Sequence, residues 1–248
     1  LIALERSAAN MTRVGELQRA LFALARDPAE RLRLALEACT LQLDEAGEVA
    51  AAEYWCEQAN ELAPESAAVQ KLRLRVHRRT ANTPRVLEAL EKLVEIEGDS
   101  PMRLLEVAVL HEREGHAERA IEWLERLLAS DPYDDESLAI LERCLARLGR
   151  HGERAEVLER RAAAANSNEA AADVIVELGH LHLNALADPA GAEASYRRAL
   201  EQVPGHPEAS AQLRELLRKG ERFAELAGVL ERIAKSAPAG AERARLLC

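Results

Sequence analysis

Aromatic residues are nearly missing from this chain: two Trp, three Tyr and two Phe make up 3% of its 248 residues. A core for that length must then be built from Leu, Ala, Val and Ile, which bring the hydrophobic fraction to 48%. An excess of basic charge is missing as well. The formal net charge of -10 and the pI near 5.3 argue against a general nucleic-acid binder, whose Lys and Arg must displace counterions from phosphates. No apolar run is long enough to cross a bilayer, so membrane insertion is not expected, and the opening LIALERSAAN lacks the basic and apolar blocks of a signal peptide. Cys39, Cys56, Cys144 and Cys248 show no CxxC or other metal-ligand spacing. Cys39 and Cys56 fall where small apolar residues belong, which reads as buried thiols and leans toward a reducing, cytoplasmic compartment. A glycine-rich phosphate loop, HExxH and Gly-x-Ser-x-Gly are absent too, so neither catalysis nor a cofactor is implied. His180 and His182, two apart, fall on different sides of a helix and make poor partners for one metal ion.

What is present is an excess of Ala, Leu, Glu and Arg, with apolar positions recurring at intervals of three and four. That composition and period predict an all-α protein. The clearest unit runs from Pro101 to Asp134. Leu104, Val107, Ala108 and His111 mark one helical face, Gly115 breaks it, and Ala120, Leu124 and Leu127 mark a second face that stops at Pro132. This is a helix hairpin, and it recurs about every 34 residues, near 1–32, 33–66, 67–100, 101–134, 135–171, 172–206 and 207–240, with a partial eighth at 241–248. No linker or domain boundary interrupts the run, which reads as one array over 1–248. In the first unit Leu4, Ala8 and Met11 form the leading face, Gly15 the turn, and Ala20 and Leu24 the second face. The last unit ends on Ile233 and Pro238. Glycine at the turn accepts the left-handed backbone that ends a helix, and proline after the second helix cannot continue it. A lone hairpin cannot bury its apolar face, so each must stack on its neighbours.

These landmarks resemble the tetratricopeptide repeat family, and in particular its long bacterial arrays. The likeness is most specific at second helices, where Ala52, Cys56, Ala59 and Pro64, or Ala192, Tyr196, Ala199 and Pro204, follow the Ala-x3-large-x2-Ala-x4-Pro order. First helices depart from it, since the family's Trp and Tyr places hold Leu, Met or His. The resemblance implies an alpha solenoid, a right-handed superhelix of about seven repeats whose inner surface, lined by first helices, holds a peptide or helix of a partner. The family's carboxylate clamp needs Lys and Asn on first helices. Glu5 with Ala9 and Glu37 with Leu41 stand there instead, so that activity is not expected.

One local anomaly points to a binding site. From Ser66 to Leu87 there is no Asp or Glu, while Lys71, Arg73, Arg75, Arg78, Arg79 and Arg85 are present with His77. Lys71, Arg75, Arg78 and Arg79 share one helix side, and Arg113, Arg143 and Arg147 occupy comparable places on later first helices. Together they would form a basic stripe able to grip carboxylates of an acidic protein or peptide. A plainer reading is also open: Arg78 and Arg79 close a helix, where cations complement its dipole, and Arg73 snorkels over an apolar neighbour. Trp55 and Trp123 hold the same place in their repeats, which suggests packing. The chain opens on Leu1 and stops inside an apparent helix, AERARLLC, and so reads as a piece of a longer protein. Leu246 and Leu247 would then leave an apolar end prone to end-to-end association. Three functional readings follow: an interaction scaffold, the docking or regulatory arm of an enzyme such as a kinase or glycosyltransferase, and a purely structural stack.

Overall fold

The helix-forming composition produces helices throughout. The computed structural model describes residues 11–236, and every regular element among them is helical. In chain order these are α1 Met11–Leu24, α2 Pro28–Leu41, α3 Val49–Leu62, α4 Ala67–Arg79, α5 Thr83–Glu97, α6 Pro101–Arg113, α7 Ala117–Ser130, α8 Asp135–Leu148, α9 His151–Ala164, α10 Asn168–Asn184, α11 Pro189–Gln202, α12 Pro207–Lys219 and α13 Phe223–Ser236. The readings at Leu4, Ala8, Pro238, Leu246 and Leu247 lie outside the described residues, as do the side chains of Met11 and Ile233. No described helix is long and apolar enough to cross a membrane.

The fold divides after His111, within α6, into two compact units. In unit 1 the hairpins α2/α3 and α4/α5 pack in sequence behind α1. One cluster joins them: Ala35, Ala38 and Cys39 of α2, Ala52, Cys56 and Ala59 of α3, and Val69, Leu72 and Val76 of α4 are all buried together. Small residues at this crossing let the backbones approach, and the Cys39 thiol donates to the Ala52 carbonyl at 3.2 Å. Trp55 is 2% exposed and stands edge-on to Phe22 of α1, with ring centroids 5.3 Å apart, so it packs one hairpin onto the helix before it.

In unit 2 the hairpins α8/α9, α10/α11 and α12/α13 follow α7. The α10/α11 crossing is the tightest: a Cβ at Gly179 would lie 2.4 Å from the Tyr196 ring, which is itself fully buried. Only glycine fits beneath that ring.

Turn chemistry follows the expected landmarks at three places. Gly47, Gly115 and Gly149 have φ of 69°, 85° and 68°. Two expectations are corrected. Gly15 is not a turn but lies inside α1, because the chain runs helical from Met11 to Leu24. At the last turn Gly220 keeps a negative φ and Glu221 takes the left-handed place at 55°. The end of α2 also differs from a plain helix. Gln42–Ala46 form a single π-turn, in which the Gln42 carbonyl accepts from the Gly47 and Glu48 amides. Such a turn takes the side chains within it out of α-helical register, and here those include Asp44 and Glu45.

Candidate functional site

The acid-free run of α4 meets carboxylates supplied by other helices. Arg75 donates from Nη2 to both oxygens of Asp44 at 2.7 Å, and Arg79 donates to the Leu43 carbonyl at 3.2 Å. These two arginines therefore converge on the π-turn. Lys71 and Arg78 do not join them: Lys71 lies 2.5 Å from Glu97 at the end of α5, and Arg78 pairs with Glu106 on α6. The remaining cations of the run are also engaged. Arg85 reaches Glu53 and Glu57 of α3. Arg73 does not snorkel to solvent; it is 4% exposed and bonded to Gln70 at 3.0 Å and Glu88 at 3.1 Å. Lys71, Arg75 and Arg78 nevertheless keep half or more of their side-chain surface in water, at 57%, 50% and 51%.

Next to the Arg75–Asp44 pair lies a hollow of about 450 Å³ against α2. Leu34, Leu36 and Leu41 form its apolar wall, Gln18 of α1 closes one side, and Asp44 and Glu45 stand on its rim. In the same unit His77 is fully buried among Arg73, Arg85 and Glu53, and neither ring nitrogen has a hydrogen bond. Burial pushes its pKa below the usual 6.5, and the two arginines add to that.

Unit 2 holds the other residues singled out in the sequence. Arg143 of α8 donates to Glu112 from Nε at 2.8 Å and Nη2 at 2.9 Å, while Arg147 donates to the Glu112 carbonyl at 2.9 Å. Arg113 is exposed beside the same carboxylate and adds to its field. The Glu112 side chain is only 8% exposed. Its hydrogen bond from Arg143, with the charges of all three arginines, holds its carboxyl below the usual carboxylate range. The arrangement repeats the one in unit 1 two repeat lengths earlier: Arg75 matches Arg143, Arg79 matches Arg147, and Asp44 matches Glu112. In both, the bonded residues are 31 apart in sequence.

Those acids are what reading α4 by itself passes over. The signal is present in the sequence, as a carboxylate one repeat before each arginine rather than three or four residues away. Within unit 2 a second cluster, Glu142 with Arg154 and Arg161, is built the same way across neighbouring helices.

No protein-family model matches the sequence, and no curated protein matches it. Solved structures do. The complex of Naa15 and Naa10 bound to HypK-THB superposes with a TM-score of 0.61 at 13% identity, covering 99% of this chain and 37% of that one. MamA gives 0.46 at 17%, covering 69% and 92%. YrrB, described as a TPR protein with an unusual peptide-binding site, gives 0.45 at 16%, covering 77% and 94%. Likeness at such identities concerns the fold alone, and the fold is all-α, of tetratricopeptide-like helical repeats.

Proposed function

We propose that this chain is a run of tetratricopeptide-type repeats serving as a protein-interaction scaffold, and that the face of α2 and α4 around Asp44 and Arg75 in unit 1 holds an acidic, leucine-bearing segment of a partner. One observation carries the reading: an apolar hollow and an exchangeable guanidinium share a border, since Asp44 stands on the rim of the hollow and is the group that holds Arg75. Leucine side chains of the partner would fill the space by Leu34, Leu36 and Leu41. A partner carboxylate would replace Asp44 on Arg75, with Arg78 as a second point of attachment. Exchange is inexpensive there, because an exposed ion pair contributes only about 0–1 kcal/mol. The bidentate fork of Arg suits it to this task. In unit 2, Arg143 and Arg147 are committed to a buried carboxylate and have a supporting role.

The test is fluorescence anisotropy with a labelled helical peptide of Glu and Leu. Replacing both Arg75 and Arg78 by Glu should weaken binding at least about tenfold, the scale of one lost charge-assisted contact, while circular dichroism stays unchanged. Equal binding by the double variant would reject this face as the site.

A further inference from the structure

Unit 2 carries a surface of opposite sign. Helices α7 and α9 flank α8, and a hollow of about 290 Å³ lies between them, floored by Ile121, Leu128, Leu141, Leu145 and Val157. Its rim is set by helical spacing. On α7, Glu118, Glu122, Glu125 and Ala129 fall at successive turns of one stripe; on α9, Glu153, Glu156 and Arg160 do the same. Of these, Glu125, Ala129, Glu153, Glu156 and Arg160 reach the hollow.

The rim carries three carboxylates, Glu125, Glu153 and Glu156, against one guanidinium, Arg160. Glu153 is held by Arg150 at 2.7 Å, which keeps its carboxyl below the usual range, while the charge of Arg150 also reaches Glu125 without a hydrogen bond. Arg160 gives its Nε and Nη2 to the Pro132 carbonyl, at 3.2 and 2.6 Å. Glu125 and Glu156 are exposed and make no hydrogen bond or ion pair among the described residues. Two unmatched carboxylates beside an apolar floor attract a cation that carries its own apolar stem, which describes Lys and Arg. The hollow is slightly smaller than the roughly 300–1,000 Å³ of small-molecule pockets, so it suits side chains entering from a segment laid across it.

We infer that the α7–α9 furrow docks a basic, apolar segment of a partner protein, with aliphatic side chains over Ile121 and Val157 and Lys or Arg heads on Glu125 and Glu156. The site is separate from the acidic-partner face of unit 1 and stands or falls independently of it.

The probe is a fluorescein-labelled helical peptide of Leu and Lys, titrated at low salt against the whole chain. Glu125→Lys with Glu156→Lys should weaken binding roughly tenfold, and so should replacing the peptide's Leu by Ser, since charge and apolar contact are both required. Ala129→Arg, which crowds the mouth of the hollow without removing an acid, should act in the same direction. Arg75→Glu should leave this binding unchanged. No binding by the native chain would overturn the inference, as would undiminished binding by the double variant. Equal binding of the Ser peptide would reduce the attraction to diffuse charge and overturn it too. If light scattering shows that the double variant alters self-association and not peptide binding, the occupant is a second copy of the chain and the inference is wrong.

Discussion

The two arginine brackets are one device in two settings. In unit 1, Arg75 and Arg79 close on Asp44 and Leu43; in unit 2, Arg143 and Arg147 close on Glu112. Sequence spacing coincides, but Arg75 uses one nitrogen where Arg143 uses two, and the acids do not share an environment. Asp44 sits on a π-turn with 37% of its side chain exposed, against 8% for Glu112. Exposure of the carboxylate therefore separates the two brackets, and the proposed exchange of partners needs the exposed one. Identical repeat positions need not do identical work.

The largest expected effect sets the scale for unit 2. Gly179→Leu would drive a side chain into the Tyr196 ring, and overpacking of that kind costs about 3 kcal/mol, read as a lowered urea midpoint. Glu112→Ala comes next, at about 2 kcal/mol. It removes charge-assisted bonds to Arg143 and Arg147, but those arginines are half-exposed and regain water. If Asp44→Ala destabilises the chain as much as Glu112→Ala, the distinction between the brackets is lost.

Acid should separate the units as well. His77 in unit 1 is held neutral by burial, its pKa depressed, so its contribution is complete above about pH 6.5 and is lost as pH falls from there toward the folded-state value. Glu112 in unit 2 is depressed too, but from the carboxylate value of 4.5, so its contribution lasts until pH falls below that. Each unit has one tryptophan, Trp55 or Trp123, and variants keeping only one of them report the units separately. As pH falls below 6.5 the Trp55 signal should lose stability first, and His77→Leu should flatten that loss. A decline unaffected by His77→Leu would assign it to another group.

How much of this could be read beforehand depends on the range of each interaction. The hairpins were legible because Gly47, Gly115 and Gly149 mark turns through their own backbone preference, and Ala52 or Ala192 mark close crossings through their own size. The π-turn at Gln42–Ala46 was not legible, since nothing in Gln-Leu-Asp-Glu-Ala forbids an ordinary helical turn. Gly15 misled for a related reason: glycine permits a break without requiring one, and α1 runs through it. The cations of α4 share one helix but do not converge: Arg75 and Arg79 meet the π-turn, Lys71 meets Glu97 and Arg78 meets Glu106. Their partners Asp44, Glu97 and Glu106 lie about one repeat away, where only stacking brings them near. Arg73 shows the same limit, being buried against Gln70 and Glu88 where a snorkelling side chain was expected.

The smallest expected change in stability tests the comparison most directly. Asp44→Asn removes a charge from an exposed pair, so the folded state should lose no more than about 0.5 kcal/mol. Arg75 would then stand beside the hollow of Leu34, Leu36 and Leu41 with its carboxylate partner gone. An acidic peptide would no longer compete with Asp44, and its affinity should rise by a few fold, roughly what one surface pair contributes. The matching change in unit 2, Glu112→Gln, should cost stability and leave that affinity alone. Should Asp44→Asn weaken the acidic peptide instead, Asp44 must be part of what the partner recognises, and the exchange at Arg75 would have to be replaced by a shared carboxylate network around the π-turn.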